Sequence, residues 1–361
     1  VDYAGRAMTS PLEDVHYYPS KFWNGWIRHD SVHFMSIIHQ GYRIETEGQW
    51  KGMSTNAAFF PLYPYTVKML AKTWIPGVGR VFSRFWEPGL ILSNLSLVLA
   101  LVYTRRIARL GLDEEGAGRS LIYLLAYPTS FFFSTFYSEG LFLLTTTAAF
   151  YHFLKGQYLR CGSFGFLAAM TRSPGIVLLP AFLLGHLWER RFRIARSDLS
   201  LLWLGLIPCG LATVMAILYW KLGDPIAFSK AHAAWGRSYQ LPHITIWNAL
   251  RAVDWSFPIE DLINTITALE VVTSLAFLGL PFLLPRRFHK ALPIYAFLVV
   301  LMPLSTGSTL SMMRCEVVAF PAFFALARLG RSRTTDRLMV FGFALFLSLF
   351  KLAFANSYLI L

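Results

Sequence analysis

The sequence predicts an all-α polytopic membrane protein, a bundle of about 9–11 membrane helices with amphipathic helices in its first external loop. Three observations predict it. The 361 residues are 55% hydrophobic and 16% aromatic, with a mean hydropathy of +0.47. Only 15% are charged, where a soluble chain carries about 25%, which argues against a water-soluble globular enzyme. Long uncharged runs recur along the chain, and basic residues collect between alternate ones. That alternation reads the net charge of +13 as an orientation signal. No nucleic-acid partner is expected.

The uncharged runs lie at 88–104, 120–138, 140–154, 173–188, 199–220, 271–285, 291–313, 317–327 and 338–350. Several fall short of the roughly 20 apolar residues a membrane helix needs, which a surrounding bundle or a thinned bilayer tolerates. Thr171-Arg172-Ser173-Pro174-Gly175 interrupts the stretch 163–188. It predicts two short helices with a polar joint that needs protein or water around it. Glu270 and Lys351 fall inside spans at similar depth and are expected to neutralise each other. Cys161, Cys209 and Cys315 have neither a disulfide framework nor a zinc-ribbon spacing. With no repeat and no linker, 1–361 reads as a single membrane domain, with 1–87 an external loop and 88–361 the bundle. Residue 1 is Val and no apolar segment precedes the first polar region, so a preceding membrane helix is expected upstream of this numbering.

Basic clusters set the expected orientation. They are Arg105, Arg106, Arg109 and Arg119; Lys155 and Arg160; Arg190, Arg191, Arg193 and Arg196; Arg286, Arg287 and Lys290; and Arg328, Arg331, Arg333 and Arg337. The alternate loops 134–139 and 305–316 hold only Arg314. By the positive-inside rule the clusters face the cytosol and residues 1–87, 134–139, 221–261 and 305–316 face outward. Of the 20 acids, only Asp113, Glu114, Glu115, Glu189, Asp198 and Asp336 fall in the cytosolic loops. Chemistry that uses carboxylates is therefore expected on the outer face.

The first external segment is rich in aromatics, from Tyr17 and Tyr18 through Trp50 to Tyr63 and Tyr65, which favour the headgroup level. Trp26, Ile27, Phe34, Ile37 and Ile38 fit one helical face, and Phe59–Ala71 a second short helix, both expected to lie on the outer surface. Within the first, Asp30 is the external acid with the most polar neighbours, Arg28 two residues before it and His33 three after. A carboxylate there suits a general base toward a sugar hydroxyl. A competing pattern is His29-Asp30-x-x-His33-x-x-Ser36-x-x-His39, with the histidine spacing of an extended zinc-protease helix. Asp30 replaces the longer glutamate of that motif and Ser36 its turning glycine, leaving His39 far round the helix from His33.

Seven blocks then run in order along most of the chain. They are Trp26 to Tyr42, Ala58 to Pro64, Ser93-Asn94, Tyr137 to Phe142, Thr171 to Gly175, Gly223-Asp224-Pro225 with Trp235-Gly236-Arg237, and Arg314 to Pro321. In these blocks the chain resembles the PIG-V-like mannosyltransferases, of the GT-C class of polytopic glycosyltransferases. It departs from their pattern where Arg28-His29-Asp30 replaces Arg-Trp-Asp and Arg314-Cys315 replaces Arg-Tyr, which keeps the acid and both arginines.

The resemblance implies a GT-C-like bundle and inverting transfer of a hexose, typically mannose, from a polyprenyl-phosphate-linked donor on the non-cytosolic side. Asp30 would be the base. Arg172, Arg314 and Arg28 would meet the charge developing on the lipid phosphate, with His29 and His33 beside them. Tyr63, Tyr137 and Glu139 are further candidates for substrate binding, as are His232, Trp235 and Arg237 on the 221–261 loop, where Trp235 suits stacking on a sugar. No cofactor and no metal are expected beyond the lipid-phosphate sugar. The expected partners are membrane lipids, that donor, and an acceptor glycan, glycolipid or protein. In a bacterium the location would be the cytoplasmic membrane, with the site facing outward. Alternatives are a scaffold subunit that keeps the fold without activity, a zinc hydrolase using His29, His33 and His39, and a transporter.

Overall fold

The computed structural model describes residues 21–45, 51–75, 79–80, 84–193, 196–256 and 262–356. The aromatic residues Tyr17, Tyr18 and Trp50 lie outside them. The described chain is helical apart from a two-residue pairing of 74–75 with 79–80. After a helical turn at Lys21–Asn24 come α1 (Ser31–Gln40), α2 (Leu62–Ala71), α3 (Trp86–Ala108), α4 (Glu114–Ala126) and α5 (Glu139–Leu154). Then follow α6 (Tyr158–Thr171), α7 (Leu178–Glu189), α8 (Leu206–Leu222), α9 (Pro242–Ala252) and α10 (Leu262–Gly279). The bundle ends with α11 (Ala291–Leu304), α12 (Phe320–Leu329) and α13 (Arg333–Ala355).

Among the described residues, four segments are long and apolar enough to cross a membrane by themselves: Trp86–Ala108, Leu199–Leu222, Asn264–Leu283 and Arg333–Ala355. This makes the chain an integral membrane protein. The other apolar runs form shorter helices because polar joints break them. The run 120–138 is helical only to Ala126. Pro128 then ends the helix, and the chain continues through a 3-10 turn at Ser130–Phe133 to Glu139. Such short helices sit inside protein. α5 is buried on almost every side between α3 and α6, and the hydroxyls of Thr145 and Thr147 turn back to the carbonyls of Leu141 and Leu143 at 2.9 and 2.7 Å, which pairs these two polar groups within the helix. Gly140 sets the close approach of α3 and α5. A Cβ there would stand 2.7 Å from the Ser93 carbonyl and 2.9 Å from that of Phe133. α13 has the opposite character. Its outward residues Leu338, Phe341, Leu345, Leu349 and Leu352 are all exposed, the pattern of a helix solvated by lipid.

Helix starts are locally encoded. Asp113 caps α4 by accepting from Gly116 N at 2.7 Å, and Ser332 caps α13 by accepting from Thr335 N at 3.1 Å. The basic clusters gather at this end of the bundle. Arg119 Nε meets Asp336 at 3.3 Å, Arg109 pairs with Glu114 at 2.9 Å, Arg328 donates to Leu283 O at 3.2 Å, and Lys290 N donates to Glu189 at 3.2 Å. The start of α5, the end of α6 and the loop after α11 form the opposite end.

Three local expectations are corrected. The first helix begins at Ser31, and residues 25–30 form turns instead, because they are stitched to the chain before α5: Phe136 N donates to Trp26 O at 3.0 Å and Ser31 Oγ to Phe136 O at 3.3 Å. The second helix begins at Leu62 rather than Phe59, and each of the two helices buries one face while Val32 and Met69 stay exposed on the other. Phe34, Ile38, Tyr63 and Val67 pack against Trp86, Leu90, Phe136 and Leu141 in one apolar cluster. Glu270 and Lys351 do not pair. Glu270 accepts from Met312 N at 3.0 Å, whereas the Lys351 ammonium donates to Gly25 O at 2.6 Å and sits 3.7 Å above the Trp26 ring.

Candidate active site

At the end of the bundle away from the basic clusters lies a cavity of about 440 Å³, within the range of small-molecule sites. Its polar wall comes from four separate breaks in the helices. Asp30 precedes α1, Glu139 opens α5, Arg172 is the extended residue that ends α6, and Arg314 sits in a short helix, Met312–Glu316, after α11.

The four side chains form one network. Arg314 donates from Nη1 to Asp30 Oδ2 and from Nε to Glu139 Oε1, both at 2.5 Å. Arg172 donates from Nη1 to the same Glu139 oxygen. The Arg314 guanidinium lies against the neighbouring Phe132 and Tyr137 rings, 4.8 and 4.6 Å from their centroids, and its side chain is only 10% exposed. Glu139 is fully buried, so it reaches the cavity only through the two arginines. Asp30 is 27% exposed. Its second oxygen, Oδ1, has no protein partner among the described residues, and Asp30 is one of the residues that line the cavity.

Electrostatics fix the charge on Asp30. Burial works to raise its pKa, but the Arg314 guanidinium, helped by His33 and His29, outweighs this and holds the carboxyl below the usual carboxylate range. Burial pushes His33 below the ordinary histidine range against the pull of Asp30 and Glu45. Burial, then Arg237, pushes His232 down to about 4. Both rings are therefore neutral at pH 7.

The backbone around Asp30 is held from below. Tyr137 OH donates to Arg28 O at 3.0 Å and accepts from Asp30 N at 3.1 Å, and His29 adopts φ +50°, an uncommon conformation that such anchoring sustains. Tyr137→Phe leaves the Asp30 amide unmatched, at about 1–3 kcal/mol, while Arg28 O keeps its bond from Ser31 N at 3.1 Å. The substitution is expected to lower the thermal midpoint in detergent and to reduce kcat with little change in KM.

Of the residues singled out by sequence, His29, Asp30, Tyr137, Arg172, His232, Trp235, Arg237 and Arg314 line the cavity. Arg28 does not. Its guanidinium points to Ala355 O on α13 at 3.4 Å. His33 stacks on Phe59 with centroids 4.7 Å apart, and Trp235 stands on edge 5.6 Å from it. Tyr63 is fully buried and bonds to Gly89 O and Ser93 Oγ, both at 3.0 Å, which makes it a strut between α2 and α3. The zinc arrangement does not assemble. His29 packs on Phe354, His33 on Phe59 and His39 on Phe85, and no group of three metal-binding side chains occurs among the described residues. Phe132, Ser138 and Cys315 also line the site without a chemical signature in the sequence. Only their place next to Tyr137, Glu139 and Arg314 points to them.

The sequence profile described as Mannosyltransferase (PIG-V) matches residues 5–198, more than half of the chain and the part that carries Asp30, Glu139 and Arg172. No curated protein matches the chain. Among solved structures it is similar to the crystal structure of ArnT from Cupriavidus metallidurans bound to undecaprenyl phosphate. The identity is 14% and the TM-score 0.37, over 93% of this chain and 73% of that one.

Proposed function

The chain belongs to the PIG-V mannosyltransferase family and is a membrane glycosyltransferase, and from that premise we propose that it moves a hexose, mannose by preference, from a polyprenyl-phosphate-linked donor to an acceptor hydroxyl. The transfer inverts the anomeric centre and takes place on the non-cytosolic face. One observation carries this reading: Asp30, an ionised carboxylate with one oxygen held by Arg314 and a second without a protein partner among the described residues, lines the cavity a substrate would fill.

In the proposed step the acceptor hydroxyl attacks the anomeric carbon from the side opposite the phosphate. Its proton passes to Asp30 Oδ1 and the phosphate leaves with the bonding pair. Asp30 is a weak base, which suits a late proton transfer, since the hydroxyl becomes acidic only as its bond to the sugar forms. Arg314 fixes the carboxylate rather than meeting the phosphate, because two of its nitrogens are already engaged, one with Asp30 and one with Glu139. Arg172 presents its remaining nitrogens to the cavity. The outward orientation is supported by the basic clusters gathered at the far end of the bundle. Apolar wall residues such as Phe60, Phe228, Met302 and Phe354 suit a lipid-borne donor. A scaffold role is disfavoured by Asp30 and Arg172 lining one common cavity.

The test is transfer from polyprenyl-phosphomannose carrying labelled mannose by purified protein in proteoliposomes, with the anomer of the product read by NMR. An inverted linkage and released polyprenyl phosphate are expected, and retention would sink the single-displacement step. The pH dependence has a definite sign. The Asp30–Arg314 contact is present above the ordinary carboxylate pKa and is lost as pH falls through the lower value in the folded protein. The acid limb of log kcat/KM should therefore lie below the ordinary carboxylate range. In Arg314→Gln, where burial acts without the main opposing charge, the limb of the residual activity should move to higher pH. An unmoved limb would remove Asp30 as the titrating base.

A further inference from the structure

Arg314 can hold Asp30 only while the backbone that carries it stays in place, and its own helix, Met312–Glu316, supplies little of that constraint. It has five residues, where isolated helices shorter than about 12–15 residues are marginal. Its leading residue, Ser311, adopts φ +69° and makes no side-chain cap. A non-glycine residue keeps that left-handed conformation only where its surroundings impose it. Ahead of it, Arg237 Nη2 donates to Leu310 O at 2.9 Å. The helix itself must be fixed by groups outside it.

Two buried acids that the transfer step does not use do this. Glu270, on α10, accepts from Met312 N at 3.0 Å and so satisfies a free amide at the start of the helix. Glu316 ends the helix and is fully buried. Its Oε2 accepts from Tyr127 OH and its Oε1 from Ser274 Oγ, both at 2.8 Å, and the Thr273 hydroxyl is a third neighbour. Ser274 stands one turn beyond Glu270 on the same face of α10, so α10 grips both ends of the short helix. Thr129 Oγ1 donates to Met313 O at 2.8 Å, from the segment that also carries Tyr127. Glu270 lies in the fields of Glu316 and Arg237. Arg314, two residues before Glu316 and thus about 200° round the helix, is turned instead to Asp30 and Glu139.

We infer that Glu316 is a positioning residue for the transfer: braced by Tyr127 and Ser274, it fixes the short helix so that Arg314 stays seated on Asp30. The inference rests on the transferase reading above and deepens it. Glu316 forms no ion pair with Arg314 among the described residues, so it acts through the backbone between them. The brace is a matter of geometry and not of charge. All its side-chain partners are hydroxyls, each able to donate or accept, so the bonds to Tyr127 and Ser274 survive when the carboxylate is exchanged for an amide. They do not survive its removal.

The test sets two like substitutions side by side. Tyr127→Phe removes the bond to Glu316. Tyr123→Phe, four residues earlier, removes a bond of the same kind to Asp336 Oδ1, 2.7 Å away at the basic end of the bundle. The full chain is assayed in proteoliposomes with polyprenyl-phosphomannose over a range of pH, and the thermal midpoint is measured alongside. Tyr127→Phe is expected to lower kcat several-fold with donor and acceptor KM unchanged. Its acid limb of log kcat/KM should move to higher pH, because Asp30 loses part of the field of Arg314 and keeps that of His33 and His29. Tyr123→Phe should keep the parent kcat and limb whatever its midpoint does. Glu316→Ala should shift the limb the same way and lower kcat by about 10²-fold, the scale of a 1 Å misplacement, while Glu316→Gln should restore both. Where Glu316→Ala fails to purify, Tyr127→Phe and Glu316→Gln carry the decision. A parent-like kcat and limb in Tyr127→Phe, the same shift in Tyr123→Phe, or a Glu316→Gln protein as impaired as Tyr127→Phe overturns the inference and leaves the transferase reading standing. Absence of transfer by the parent protein overturns both.

Discussion

Asp30→Asn is expected to reduce kcat by about 10²–10⁴-fold, the range lost with a general base, in protein that inserts and purifies normally. The amide keeps an oxygen for the Arg314 hydrogen bond and nearly the same volume, so the turn at 25–30 and its bonds to Tyr137 and Phe136 remain. What disappears is the charge and the capacity to take a proton. The substitution also leaves Arg314 and Arg172 facing Glu139 alone, so the wall gains net positive charge. Donor affinity should therefore hold or improve while turnover collapses. A variant that lost donor affinity and kept its turnover would place the carboxylate in sugar binding instead. Steady-state transfer with separately varied donor and acceptor distinguishes the two.

The second large effect is expected at Glu139. Its Oε1 accepts from both Arg314 and Arg172 in a fully buried position. Glu139→Ala leaves two guanidinium groups against one carboxylate in a setting where removing one partner costs about 3–5 kcal/mol. That is a large share of a typical stability of about 5–15 kcal/mol. The variant should lose monodisperse material on mild heating in detergent. Glu139→Gln keeps the accepting oxygen and should purify, but with Arg314 less firmly set its kcat should fall about 10²-fold. Were Glu139 a contact to the sugar, both variants would raise KM and leave heat resistance unchanged.

Much of this site was legible in the sequence because its charges break apolar runs. Arg172 interrupts 163–188, and Arg314 is the one basic residue in the short loops 134–139 and 305–316. Both stand out because a guanidinium at such a place needs a partner. Pairing was not legible. Nothing in the order of residues says that Glu139 opens a buried helix and faces Arg314, 175 positions away. For the same reason Glu270 looked like a partner for Lys351, although backbone groups satisfy each of them separately. Arg28 and Tyr63 sit in informative motifs, yet their side chains tie loops to α13 and α3. Periodicity also misread residues 26–30. Their apolar spacing suits a helix, but long-range bonds to 136–137 win over local propensity. The apolar composition was the most dependable signal of a membrane chain, since it does not depend on contacts.

The most direct measurement supplies purified protein and polyprenyl-phosphomannose with tritiated mannose to membranes from cells that lack the protein. Label and polyprenyl phosphate are then followed together. The expected result is label entering a membrane acceptor with stoichiometric release of polyprenyl phosphate, present in the parent and absent in Asp30→Asn. Label transfer that continues undiminished in Asp30→Asn, or that draws on a nucleotide-linked sugar and leaves the lipid donor intact, would contradict it.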